Sequence, residues 1–168
     1  ISLHLIQSAW RGDSLAHPDN HLYPPAPQLT ERVWIATFSI EGAVRAARAG
    51  HGLMLSRTQP RPADKPGLRL DEIQNPIVDA YLDALPAGVA PRILASRTAF
   101  VADTTAYALQ VATPGLTRQA EQHRAAGHAL IGDNVTDYIQ QFDAHIGDPQ
   151  TVLASLRQDS VLLRATDI

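Results

Sequence analysis

One stretch of the sequence has the residue types and spacing to hold an anion. It is Thr37-Phe38-Ser39-Ile40-Glu41-Gly42, where an apolar run gives way to a helical pattern. A helix start presents backbone N–H groups with no carbonyl one turn back, together with the positive end of the helix dipole. Ser39 can add its hydroxyl to the amides of Ile40 and Glu41, with Gly42 letting the backbone approach a phosphate. The same serine also fits the plainer role of a helix N-cap, and one residue can fill both roles. Glu41 brings a carboxylate into this turn, where it complements the dipole and repels a phosphate unless it points outward toward Arg45, four residues on.

Other chemistry is more restricted. The sequence has no cysteine, which removes disulfides and thiolate metal sites. His17 and His21 stand four apart in a proline-rich loop, and His4, His51, His123, His128 and His145 are scattered. No His-Glu-x-x-His spacing occurs, so no metal is expected, and the histidines are read as solvated or locally hydrogen-bonded. Neither Gly-x-Gly-x-x-Gly nor Gly-Lys-Ser/Thr is present. Arg97, a charge inside an apolar run, calls for a buried ion pair or a wet interior. The 14 Lys and Arg are dispersed among 17 Asp and Glu, for a net charge of -3. Nucleic acid and anionic membrane are therefore not expected partners. No apolar run reaches the ~18 residues of a membrane span, and Ile1-Ser2-Leu3-His4-Leu5-Ile6 lacks a signal-peptide pattern, so the expectation is a soluble, cytoplasmic protein.

The elements that would position these residues follow from periodicity. Leu3, Ile6 and Trp10 fall on one face of a helix ended by Gly12-Asp13. Residues 13–29, with Pro18, Pro24, Pro25 and Pro27, read as a long loop. Val33 to Thr37 predicts a strand buried on both faces. A helix follows, with Ile40, Ala43, Val44 and Ala47 inward and Gly50 as a left-handed cap, and then a second strand over Leu53 to Ser56. This is a βαβ unit whose strands should run parallel. Residues 57–69 form a candidate lid or binding loop. Asn75-Pro76 reads as the start of a helix carrying Tyr81 inward, and Arg92 to Val101 as a third strand. Asp103-Thr104-Thr105 caps a helix through Val111, with Thr117 to Ala126 its continuation or successor. Val135 to Ala144 and Pro149 to Leu156 read as two helices separated by Gly147. Tyr107 is expected in the core or an interface, and Trp34 in packing. The fold class is α/β.

The run Val33-Trp34-Ile35-Ala36-Thr37-Phe38-Ser39-Ile40-Glu41-Gly42-Ala43, followed by Arg45-Ala46-Ala47-Arg48-Ala49-Gly50-His51-Gly52-Leu53-Met54-Leu55-Ser56-Arg57, resembles the central segment of the bacterial luciferase-like, flavin-dependent monooxygenases. It is most similar to an FMN-dependent subgroup. Tyr23-Pro24-Pro25-Ala26-Pro27, Arg97-Thr98-Ala99-Phe100-Val101-Ala102-Asp103 and Ile146-Gly147-Asp148-Pro149 with Val152 and Leu156 fit the same family in the same order. The resemblance implies part of a TIM (β/α)8 barrel that binds FMN and oxidises a small organic substrate with reduced flavin and O2. The flavin would be reduced by a separate flavin reductase, and a homodimer is expected. It places the FMN phosphate partly at the turn matched here by Ser39 and Ile40, with Glu41 in the same turn and Arg57 at the carboxyl rim of the barrel, to meet phosphate or close over substrate, the alternative for Arg57 being a solvated loop arginine or a salt-bridge partner.

A closed barrel takes roughly 250 residues. On this resemblance, residues 1–168 are the C-terminal portion of a luciferase-like TIM-barrel domain, starting before the fifth strand and stopping near the eighth, with about half of the barrel represented. The catalytic groups would then lie in the N-terminal half, and none is assigned here. Two other readings stay open: a non-catalytic half-barrel that binds flavin or dimerises through its open sheet edges, and a deazaflavin-dependent reductase on the same fold.

Overall fold

Three apolar runs compete for the interior, and the computed structural model, which describes residues 2–62 and 64–168, pairs all three in parallel. Ile1, in the stretch considered for a signal peptide, and Ala63, in the loop 57–69, lie outside the described residues. Helix α1 (Leu3–Arg11) ends at Gly12 and lies against a 3-10 turn at Pro27–Arg32, inside what the sequence suggested was all loop. Strand β1 (Trp34–Ala36), helix α2 (Ile40–Arg48) and strand β2 (Gly52–Leu55) form the expected βαβ unit. After helix α3 (Leu70–Ala84), strand β3 (Ile93–Ala95) joins the far side of β2. The C-terminal tail then pairs in parallel with the other edge of β3, through Leu94 and Asp167.

The third predicted strand is not continuous. Ser96 and Arg97 break it, and Thr98–Val101 (β4) leaves to pair with Ala144–Gly147 (β5) in a separate two-stranded parallel sheet. Around this pair stand helices α4 (Thr105–Ala125), α5 (Val135–Gln141) and α6 (Pro149–Leu156). Strand β5 was hidden in the sequence because α5 stops at Gln141 and Asp143 takes a positive φ of 46°, so Ala144 starts a strand instead of ending a helix. Pro114 does not divide α4. Ala108, Leu116 and Ala120 lie buried on one side of it and hold both halves to one line.

The main core is built by α2, α3, β2 and β3. Ala43, Ala46 and Ala47 pack with Leu53, Leu55, Ile77, Val78 and Tyr81. The buried face of α2 is therefore turned from the expected one, and Ile40 is 47% exposed. Small side chains let α2 approach α3 and the sheet closely. Gly50 takes φ 69° as the expected left-handed cap. β1 is not buried on both faces: Trp34 and Ile35 are half-buried and Ala36 is exposed, and among the described residues the strand pairs with β2 alone. Trp34 is a packing residue with the Arg92 guanidinium 5.3 Å above its ring. Tyr81 is buried as expected and donates to the His51 carbonyl at 2.9 Å. Tyr107, at 56% exposure, belongs to no core.

Helix α3 begins at Leu70, ahead of the predicted Asn75-Pro76 start, and Pro76 is accommodated inside it. The extra turn is anchored by Asp71, which accepts from Arg69 at 2.7 and 2.9 Å and from the hydroxyl and amide of Ser160 at 2.7 and 3.0 Å. Burial pushes the Asp71 carboxyl up, but Arg69 and Ser160 outweigh it and bring the pKa from 3.8 to about 2. A folded value below the unfolded one stabilises fully above the unfolded pKa and is lost as pH falls through the folded one. Asp71→Asn should thus cost about 2 kcal/mol at neutral pH and flatten the stability curve between pH 4 and 2, as read by urea unfolding across that range. An unchanged acid limb would refute it.

Candidate functional site

The turn between β1 and α2 is built by its own side chains. Ser39 is extended, and its Oγ accepts the Gly42 N–H at 3.1 Å, while the Thr37 Oγ1 accepts the Ser39 N–H at 3.1 Å. Ser39 is therefore the N-cap. A hydroxyl that accepts one bond still has its proton to donate, and the Ile40 and Glu41 amides begin the helix with no carbonyl one turn back. Ser39, Ile40 and Glu41 are all exposed. The Glu41 carboxyl is held below its usual range by its own backbone N–H, by the Ser39 hydroxyl and by Arg45. Its carboxylate thus folds partly back over the groups a phosphate would use. Gly42 serves a purpose the sequence did not reveal: a Cβ there would lie 2.0 Å from Thr37 Oγ1 and 2.7 Å from Thr37 Cβ. Its missing side chain makes room for Thr37 and not for an approaching ligand.

The loop after β2 lies beside this turn, because Gln59 Nε2 donates to the Phe38 carbonyl at 3.3 Å. Both segments leave the carboxyl ends of parallel strands, the edge at which open α/β sheets and barrels place their ligands. Arg57 is exposed and donates to Thr98 Oγ1 at 3.1 Å, so it leans toward β4. The structure thus gathers Ser39, Ile40 and Glu41 in one turn and sets Arg57 on the neighbouring loop. Among the described residues no hydrogen bond joins Arg57 to the turn.

The candidate loop 57–69 lines a cleft of about 470 Å3 that includes Arg57, Gln59, Pro60, His123, His128 and Phe142. Arg61 fixes the loop by an ion pair to Asp143 and a 2.8 Å bond to the Leu68 carbonyl. Burial raises the Asp143 carboxyl, opposed by Arg61 and by the Leu70 amide. His123 and His128, which the sequence left scattered, meet with ring centroids 4.6 Å apart, and His123 meets Phe142 edge-on at 5.7 Å. Burial, then the charges of His128 and Arg61, depress the His123 pKa. The cleft combines an exposed guanidinium, an aromatic wall and a buried amide.

Sequence reasoning missed Gln59, since an irregular loop has no periodicity to mark which residue turns inward. Its place two residues past Arg57 was the only signal. Two of the other histidines are buried: His51, and His145, which is locally hydrogen-bonded as expected, its Nδ1 2.8 Å from Ser155 Oγ. Arg97 forms the expected buried ion pair, with Asp159 at 2.5 Å. No helix among the described residues is long and apolar enough to cross a membrane.

No protein-family model and no curated protein sequence matches the chain. Solved structures do. Apo-MsnO8 matches 99% of the chain and 53% of its own, at 17% identity and a TM-score of 0.56. Monooxygenase RslO1 from Streptomyces bottropensis matches 91% of the chain and 46% of its own, at 21% identity and a TM-score of 0.53. The oxygenating constituent of 3,6-diketocamphane monooxygenase from the CAM plasmid of Pseudomonas putida, a type II Baeyer-Villiger monooxygenase in complex with FMN, aligns over 94% of the chain and 51% of its own, at 15% identity and a TM-score of 0.48. The chain spans about half the length of the structures it matches. At these identities the likeness is one of fold.

Proposed function

We propose that this chain is the C-terminal part of a luciferase-like, FMN-dependent monooxygenase barrel, and that the Ser39–Glu41 turn holds the FMN phosphate with Arg57 alongside. The observation that carries this reading is a capped helix start at the carboxyl edge of a parallel sheet, where the Ser39 hydroxyl and the Ile40 and Glu41 amides can meet one anion once the Glu41 carboxylate gives way. The resemblance of residues 33–57 and the fold likeness to a monooxygenase support it from separate directions.

The residues present fit a phosphate ester. Ser39 and the Ile40 and Glu41 amides supply donors, Arg57 supplies a cation within the neighbouring loop, and the buried Gln59 Oε1 beside Phe38 has no donor of its own. Glu41 is the one opposing group. Its carboxylate has to leave the turn toward Arg45 when phosphate arrives. When bound and reduced, the flavin supplies the electrons with which O2 oxidises a small organic substrate. The turn would fix the phosphate end, and the loop 57–62 would close the cleft against water. A separate flavin reductase and a cytoplasmic, homodimeric enzyme complete the proposal.

Ser39→Ala and Ile40→Pro, made singly in the full-length protein, should each weaken FMN binding about tenfold in a fluorescence titration. Glu41→Gln should strengthen it several-fold while leaving riboflavin, which has no phosphate, unaffected. FMN affinity unchanged in both Ser39→Ala and Ile40→Pro would end the assignment. The unpaired outer edge of β1 favours a second reading, a non-catalytic half-barrel completed by another copy. A native chain of 168 residues that is dimeric and without turnover would establish that reading instead.

A further inference from the structure

We infer that Gln59 reads a hydroxyl group next to the phosphate, so that the site selects phosphate esters of polyols over simple alkyl phosphates. The inference rests on the phosphate reading of the Ser39 turn. Gln59 is 4% exposed and lines the cleft. Its Nε2 donates to the Phe38 carbonyl at 3.3 Å, and a carbonyl can only accept, which fixes which end of the amide faces the turn. That leaves Oε1 buried with no partner among the described residues. A buried acceptor without a donor is costly, and a ligand that brings an O–H to it recovers the loss.

Position narrows the ligand further. Phe38 immediately precedes Ser39, so Gln59 touches the residue next to the proposed phosphate donors. A phosphate ester that carries hydroxyls on its chain, as the ribityl phosphate of FMN does, brings the donor that Oε1 lacks. Carboxylates, sulfates and alkyl phosphates bring the anion without that donor. Arg57 and the Ile40 amide accept any of these anions, so the discrimination falls to Gln59.

The test compares oxidised FMN with a flavin whose ribityl phosphate is replaced by a phosphopentyl chain, which has the same anion and ring but no hydroxyls. Both are titrated by flavin fluorescence against the full-length protein and its Gln59→Leu variant. The unmodified protein should favour FMN by about fivefold to tenfold, and Gln59→Leu should abolish that preference. Losing the tie to Phe38 weakens both ligands alike, so the ratio isolates the hydroxyl contact. If Gln59→Leu does not fold, the ratio in the unmodified protein still decides. Equal affinity for the two flavins there, or an undiminished preference in Gln59→Leu, would overturn the inference while leaving the phosphate site standing. Failure of both flavins to bind would overturn the two together.

Discussion

Asp159→Ala should cost about 3–5 kcal/mol of folding stability, the largest single loss expected on this chain, because it strands a buried guanidinium. The Arg97 and Asp159 side chains are 2% and 9% exposed and pair in two places, at 2.5 and 3.1 Å. Asp159 Oδ1 also accepts the Val161 and Leu162 amides, at 3.0 and 3.3 Å. Asp159→Asn keeps an acceptor for those amides and removes only the charge, so it should cost clearly less than alanine. Urea unfolding of both variants measures the difference. A loss below about 1 kcal/mol for alanine would mean that water reaches Arg97. The pair stands where β3 and β4 part, so its strength sets how firmly the two sheets are joined.

Gly42→Ala should be the most damaging change at the site itself. The new methyl group would lie 2.0 Å from Thr37 Oγ1, and Thr37 also holds the Ser39 amide. Something must move, at about 2–3 kcal/mol, and FMN affinity should fall at least tenfold as the turn distorts. Thr37→Gly in the same protein removes both offending atoms. Alanine at 37 would not, since a Cβ 2.7 Å away would remain. The pair should therefore recover much of the stability lost by Gly42→Ala alone, with a coupling above ~1 kcal/mol in a double-mutant cycle. Strictly additive losses would show that the turn relaxes elsewhere.

The sequence made the βαβ unit legible because local signals agreed there: Ser39 capped, Gly50 closed, and apolar runs flanked the helix. It also marked Ser39 as the N-cap that the structure shows. What it hid depended on distant partners. Pro76 reads as a helix start until Asp71 is seen bonded to Ser160, 89 residues on. The strand over residues 92–101 reads as one element until Arg97 is drawn aside by Asp159. β5 is four residues long, with only Ile146 bulky and apolar, and its pairing with β4 is set across more than forty residues. Gln59, His123 and His128 have no shared spacing, and only the folded loop brings them to one cleft.

The carboxylate of Asp148 serves two helices at once. It accepts the Gln150 and Thr151 amides at the start of α6, and the Thr105 hydroxyl at the start of α4, at 2.6 Å. The cap of α6 is local, but the Thr105 bond forms only once β4 and β5 have met, since their pairing brings residues 105 and 148 together. The smaller sheet and the starts of the two helices that spring from it are therefore coupled through one carboxylate, and they gain and lose order together.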